Sequence, residues 1–125
     1  MQPYELEAWL GDENTLTEQQ FTELLRIAHD IETRYPDPDH EDERTAALVA
    51  AHRLIVEDEE TVIADYAAQL RAARAAEIAA LAALRQASLT LITTSSKGAR
   101  GLRTQQGFAR AAGVDRAAVR DWLNP

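Results

Sequence analysis

The sequence predicts an all-α protein, and three observations carry that expectation. Ala, Leu, Glu and Arg, all good helix formers, dominate the chain. Runs of β-branched residues and hairpin signals are scarce. Apolar residues recur at helical spacing through most of the length. The architecture expected is a helical bundle with a long central helix and a pair of short helices at the C-terminal end.

Tyr4 to Leu10 reads as a short helix stopped by Gly11-Asp12. Thr17 is a good N-cap, with Gln20 three residues on completing a capping box. The helix it opens runs to about Arg34, with Phe21, Leu24, Leu25, Ala28 and Ile31 on one stripe. Tyr35-Pro36-Asp37-Pro38-Asp39 ends it, because the residue before each proline is pushed out of the helical region. A third helix begins near His40-Glu41-Asp42-Glu43, whose acids suit a positive helix N-terminus. Its apolar face is Ala47, Leu48, Ala51, Leu54 and Ile55, and it breaks or bends at Glu57-Asp58-Glu59-Glu60.

From about Thr61 to Leu91 or Ile92 the pattern stays helical, a rod on the order of 45 Å long. Ile63, Leu70, Leu84 and Leu91 share one heptad position and Ala67, Leu81 and Ser88 its companion, with Glu77 and Arg74 interrupting the seam. Such a helix is expected to pack as a coiled coil against a second copy, making a homodimer. The plainer alternative folds it back over the second and third helices. Residues 1–92 thus form an acidic helical and dimerisation region, 93–103 a basic linker containing Gly98 and Gly101, and 104–125 a separate C-terminal unit.

Composition narrows the function classes. Of the apolar residues 24 are Ala and 33 are large or aromatic, so the core must rely on close helix contacts. No stretch approaches a membrane span, and Met1-Gln2-Pro3-Tyr4-Glu5 lacks the start of a signal peptide, so a soluble cytoplasmic protein is expected. The absence of Cys excludes disulfides and thiolate metal sites. Twelve Arg against one Lys, with the high Ala content, hint at a GC-rich bacterial genome. The net charge of −8 is segregated. Residues 1–65 carry 4 basic and 18 acidic side chains, whereas residues 66–125 carry 9 basic and 3 acidic ones. Such asymmetry points to ends that meet different partners.

The basic end carries the functional signal. Thr104 can cap a helix whose buried face is Phe108, Ala109 and Ala112. Gly113 supplies a left-handed reversal, Val114 plugs the corner, and Asp115 caps a second helix with Val119, Trp122 and Leu123 turned inward. Small Ala109, Gly113 four residues later, then Val114, Val119 and Trp122 form a pattern that resembles the helix-turn-helix of bacterial and phage repressors. The resemblance covers residues 102–124. It implies double-stranded DNA as partner and a third, supporting helix, expected here from Leu89, Leu91, Ile92 and Leu102.

In that motif the second helix enters the major groove with its N-terminal residues at base edges. Arg116 and Arg120 then face guanines, Ala117 a thymine methyl, and Asp115 a cytosine or the phosphate it repels. Thr104, Gln105 and Gln106 grip a phosphate, and Lys97, Arg100 and Arg103 follow the backbone or enter the minor groove. A dimer then addresses two half-sites one helical turn apart, or a multiple of it. A transcriptional repressor is the function expected.

Two other readings compete with it. The acidic half can dock a basic protein, as an antitoxin-like or anti-activator adaptor. Alternatively, Glu57-Asp58-Glu59-Glu60 with Asp65 could gather magnesium for phosphohydrolysis, but these acids cluster at one helix junction rather than on two facing helices. His29, His40 and His52 lack ligand spacing, and no nucleophile–base arrangement or phosphate-binding glycine loop is present. Neither catalysis nor a cofactor is expected.

Overall fold

The computed structural model describes residues 1–93 and 98–124. Among the described residues the regular structure is entirely helical: α1 (Pro3–Leu10), α2 (Glu18–Arg34), α3 (Glu41–Val56), α4 (Glu59–Leu91), α5 (Gln105–Ala112) and α6 (Arg116–Leu123). Single 3₁₀ turns at Pro38–His40 and Gly101–Arg103 precede α3 and α5. None of the described helices is long and apolar enough to cross a membrane. The chain divides into two compact units, residues 1–68 and 69–125, with the boundary inside α4.

Local chemistry sets the ends of the helices in the first unit. Gly11 stops α1 at φ +79°, a conformation that favours glycine. The Thr17 hydroxyl accepts from the Gln20 amide at 3.1 Å, and the Gln20 side chain accepts from the Thr17 amide at 2.9 Å, the expected capping box. The break expected after α3 is a full one: Glu57 is extended, and Asp58 accepts from both the amide and the hydroxyl of Thr61. These bonds hold the Asp58 carboxyl below its ordinary pKa of 3.8. With Asp58 as cap, α4 starts at Glu59, two residues earlier than the pattern suggested.

The core of this unit is Leu6, Leu24, Ala28, Ile31 and Leu48, flanked by Phe21, Leu25, Ala47, Ala51 and Ile55. Burying a Leu completely contributes roughly 1.5–3 kcal/mol, so these few side chains dominate its stability. The expected α2 stripe is the one that packs. On α3 the exception is Leu54, which stays 40% exposed while its neighbour Ile55 turns in. Arg53 fixes the α3–α4 corner, reaching Glu57 at 2.8 Å and Asp65 at 2.8 Å and lying over the Tyr66 ring. Arg53 thereby lowers the Glu57 pKa, and Glu57 first among its partners raises that of Arg53.

The second unit comprises the rest of α4 with α5 and α6. Its core is Phe108, Ala109 and Val119, covered by Leu84, Ala87, Leu91 and Ile92 from the end of α4. The supporting helix is therefore the expected one, but its contact face is rotated. Leu89 and Leu102, expected to pack, remain 44% and 50% exposed, and Leu84 and Ala87 take their place. Heptad residues Leu84 and Leu91 are consequently used by this core, and Ser88 is fully buried with its hydroxyl on the Arg85 carbonyl. Residues 69–83 of α4 are all exposed.

Candidate nucleic-acid interface

The site is built outwards from a tight backbone contact. Gly101, at φ +62°, turns its carbonyl towards the start of α5. The Thr104 hydroxyl donates to that carbonyl at 2.9 Å and accepts from the Gly107 amide at 3.0 Å, capping α5 as expected. The approach is so close that a Cβ on Gly107 would lie 2.0 Å from the Gly101 carbonyl oxygen. Only glycine fits there.

At the other end of α5, Gly113 adopts φ +72° and ψ +31°. Its amide bonds the Arg110 carbonyl at 3.4 Å, and the Val114 amide bonds the Ala109 carbonyl at 3.1 Å. This paired closure satisfies carbonyls that the helix end would otherwise leave open. Ala109 is buried at this corner and Val114 packs against the same core, so a small residue and a left-handed glycine are both required. Asp115 occupies the N-cap of α6 with extended backbone, but its side chain makes no capping bond. The cap expected from Asp115 is supplied by its carbonyl alone, bonded by Ala118 at 3.0 Å and Val119 at 3.4 Å. The carboxylate is left exposed.

Val119 is fully buried and Trp122 and Leu123 are half-buried against the same core. The spacing of these inward positions leaves Arg116, Ala117, Arg120 and Asp121 on one outward face of α6, and all four are exposed. At the start of α5 Gln106 is exposed, whereas Gln105 and Thr104 are half-buried and the Thr104 hydroxyl is committed to the cap. Arg100 and Arg103 are exposed beside the 3₁₀ turn, and Lys97 lies outside the described residues. Two residues of this unit were not singled out in the sequence. Arg110 is exposed on α5, where only its place opposite Phe108 could have marked it. Gly107 stands three residues after a Thr cap, which is the one local trace of the close approach.

Every ion pair among the described residues lies in the first unit. There Arg26 pairs with Glu23 and Asp30, Arg53 with Glu57 and Asp65, and Arg44 donates to the carbonyls of Tyr35 and Asp37. In the second unit none of the eight described arginines has a side-chain partner among the described residues. Their guanidiniums are aimed at solvent, and the chemistry they offer is multiple N–H donation to an anion or a base edge.

Elsewhere, a cleft of about 340 Å³ in the first unit is lined by Trp9, Ile31, Glu32, Arg44 and Leu48. Glu57 and Asp65 are both tied to Arg53, and no cluster of three or more potential metal ligands occurs among the described residues. No family model, curated protein or solved structure matches this chain.

Proposed function

We propose that α5, the Gly113 turn and α6 act as a helix-turn-helix that binds double-stranded DNA, making this protein a small dimeric transcriptional regulator of the repressor type. The observation that carries the reading is the pairing of an inward Val119–Trp122–Leu123 face on α6 with an exposed face of Arg116, Ala117 and Arg120 whose cations have no partner among the described residues. A short helix held rigidly from behind, with free guanidiniums in front, meets the geometric demand of major-groove recognition. The end of α4, through Leu84, Ala87, Leu91 and Ile92, supplies the third helix that such a motif needs. Arg100, Arg103 and Arg110 add phosphate contacts that position α6 without reading sequence. Dimerisation through α4 joins two such units and lets them address two half-sites.

The experiment is selection from a random-sequence duplex library at two salt concentrations, with sequencing of the retained DNA. An enriched inverted repeat is the expected result. Retention without enrichment, falling steeply with salt, means backbone binding only. Absence of retention at low salt overturns the reading and turns attention to the acidic first unit as a docking surface for a basic protein.

A further inference from the structure

We infer that the exposed stretch of α4 pairs with the same stretch of a second copy in the antiparallel sense, in a register fixed by Arg74 and Glu77. The inference rests on the reading of α4 as the dimer element and adds its orientation.

Residues 69–83 are solvent-exposed on every side, yet they include Leu70, Ile78 and Leu81, exposed by 50%, 70% and 40%. Leu70, Arg74, Glu77 and Leu81 follow one another at spacings of four, three and four residues, which places them on one seam of the helix. Ala73 and Ala80 flank that seam on one side, with Arg71 and Ile78 on the other, so the small side chains along one edge let two helix axes approach closely. Taken singly, Arg74 and Glu77 are faults in an apolar seam. Neither forms an ion pair within the chain among the described residues.

Their meaning depends on how two copies are aligned. In a parallel, in-register pair each residue meets its own copy, so Arg74 faces Arg74 and Glu77 faces Glu77, two like-charge layers at the centre. In an antiparallel pair centred between residues 75 and 76, Arg74 of each copy meets Glu77 of the other. The same register brings Leu70 of each copy onto Leu81 of the other. The antiparallel alignment therefore pairs both charges and keeps both leucines covered, whereas the parallel one keeps leucine on leucine but sets like charges against each other. A charged pair inside an otherwise apolar seam adds little stability but selects register and orientation, because every competing alignment strands a charge. The Arg stem packs along the alanines while its head stays near water.

The pairing also separates the two C-terminal units. Each α4 extends about 15 residues from the pairing centre to Leu91, so the two helix ends stand roughly 47 Å apart along the axis at 1.5 Å per residue.

The test uses the full chain without DNA, so it stands apart from the DNA reading. Sedimentation equilibrium of the wild type, Arg74→Glu, Glu77→Arg and the doubly exchanged variant measures association directly. We expect a wild-type dimer, a dissociation constant raised at least about tenfold in each single variant by like charges in the seam, and recovery in the double exchange. A monomeric wild type, or single variants that associate as well as the wild type, overturns the proposal. So does a double variant that stays as weak as the singles. Because the chain has no Cys, Leu70→Cys and Leu81→Cys variants give an independent measure of direction. Mixed together and oxidised they should form the 70–81 disulfide, whereas efficient 70–70 or 81–81 disulfides in the separate samples overturn the antiparallel register.

Discussion

The two units of this chain use arginine in opposite ways. In the first, Arg26, Arg44 and Arg53 are each bonded to carboxylates or carbonyls of their own surroundings, and they tie helices and corners together. In the second, no described arginine is so used, although the unit is the more basic of the two. Acids outnumber cations in the first half, and three of its four arginines find a partner at short range, Arg34 being the exception among the described residues. The second half contains too few acids to match its cations, and the three it has, Glu77 on α4 and Asp115 and Asp121 beside and on α6, stand exposed without an ion pair among the described residues. Charge in the first unit is spent on structure, whereas charge in the second remains available to a partner outside the chain.

The sharpest way to break the second unit without touching its charge is Gly107→Ala. The added methyl meets the Gly101 carbonyl, so the 3₁₀ turn and α5 must separate. The expected cost is about 3 kcal/mol, at the upper end of overpacking effects. The two Trp residues divide the readout, since Trp9 belongs to the first unit and Trp122 to the second. In Trp9→Phe, denaturation followed by Trp122 fluorescence should shift strongly on adding Gly107→Ala. In Trp122→Phe, the Trp9 signal should move much less. Equal shifts at both probes would mean that the two units unfold as one.

What the sequence disclosed and what it hid divide along physical lines. The Thr17 box, the Gly113 reversal and the proline stop after Tyr35 are decided within four or five residues, and each formed where local rules place it. The all-helical class follows from composition in the same way. The face that α4 turns to α5 and α6 was not local information. Leu84 and Leu89 are both leucines at helical spacing, and only the three-dimensional seating of Phe108 and Val119 selects the former. Gly107 was missed for a related reason, because its necessity lies in the backbone of Gly101 rather than in its own helix. At Asp115 the residue type correctly marked the helix start, but one rotamer choice decides whether the carboxylate caps or faces solvent.

The next contrast concerns the cations themselves. Arg116→Ala and Arg120→Ala should each weaken specific DNA binding by about 1–3 kcal/mol and relax preference at one base position, with unfolding unchanged. Arg103→Ala should weaken binding to all sequences alike and reduce the salt slope by about one. Arg26→Ala, which loses two exposed ion pairs, should leave DNA binding unaltered. Binding titrations of the four variants at two salt concentrations check this. If Arg26→Ala weakened DNA binding as much as Arg116→Ala, the division between structural and available charge would fail.

The smallest effect expected is a difference in acid sensitivity. Glu23, Glu57 and Asp58 are held below their ordinary pKa values by Arg26, Arg53 and the Thr61 hydroxyl and amide. A carboxylate depressed in the folded state stabilises it fully above its ordinary pKa and loses that contribution as pH falls through the lower folded value. The ordinary values are 4.5 for the two glutamates and 3.8 for Asp58, so the loss begins below about pH 4.5. All three groups face solvent, so the effect is small and further reduced by salt. Residues 98–124 contain no carboxylate bonded to a cation or a helix cap. Thermal unfolding reported by Trp9 should therefore shift down between about pH 5 and 3, by more than that reported by Trp122. Glu57→Gln should remove part of the difference, because an amide cannot lose charge to acid. An identical acid shift in wild type and Glu57→Gln would show that Arg53 holds the α3–α4 corner through its packing on Tyr66 and its bond to Asp65 rather than through the charge of Glu57.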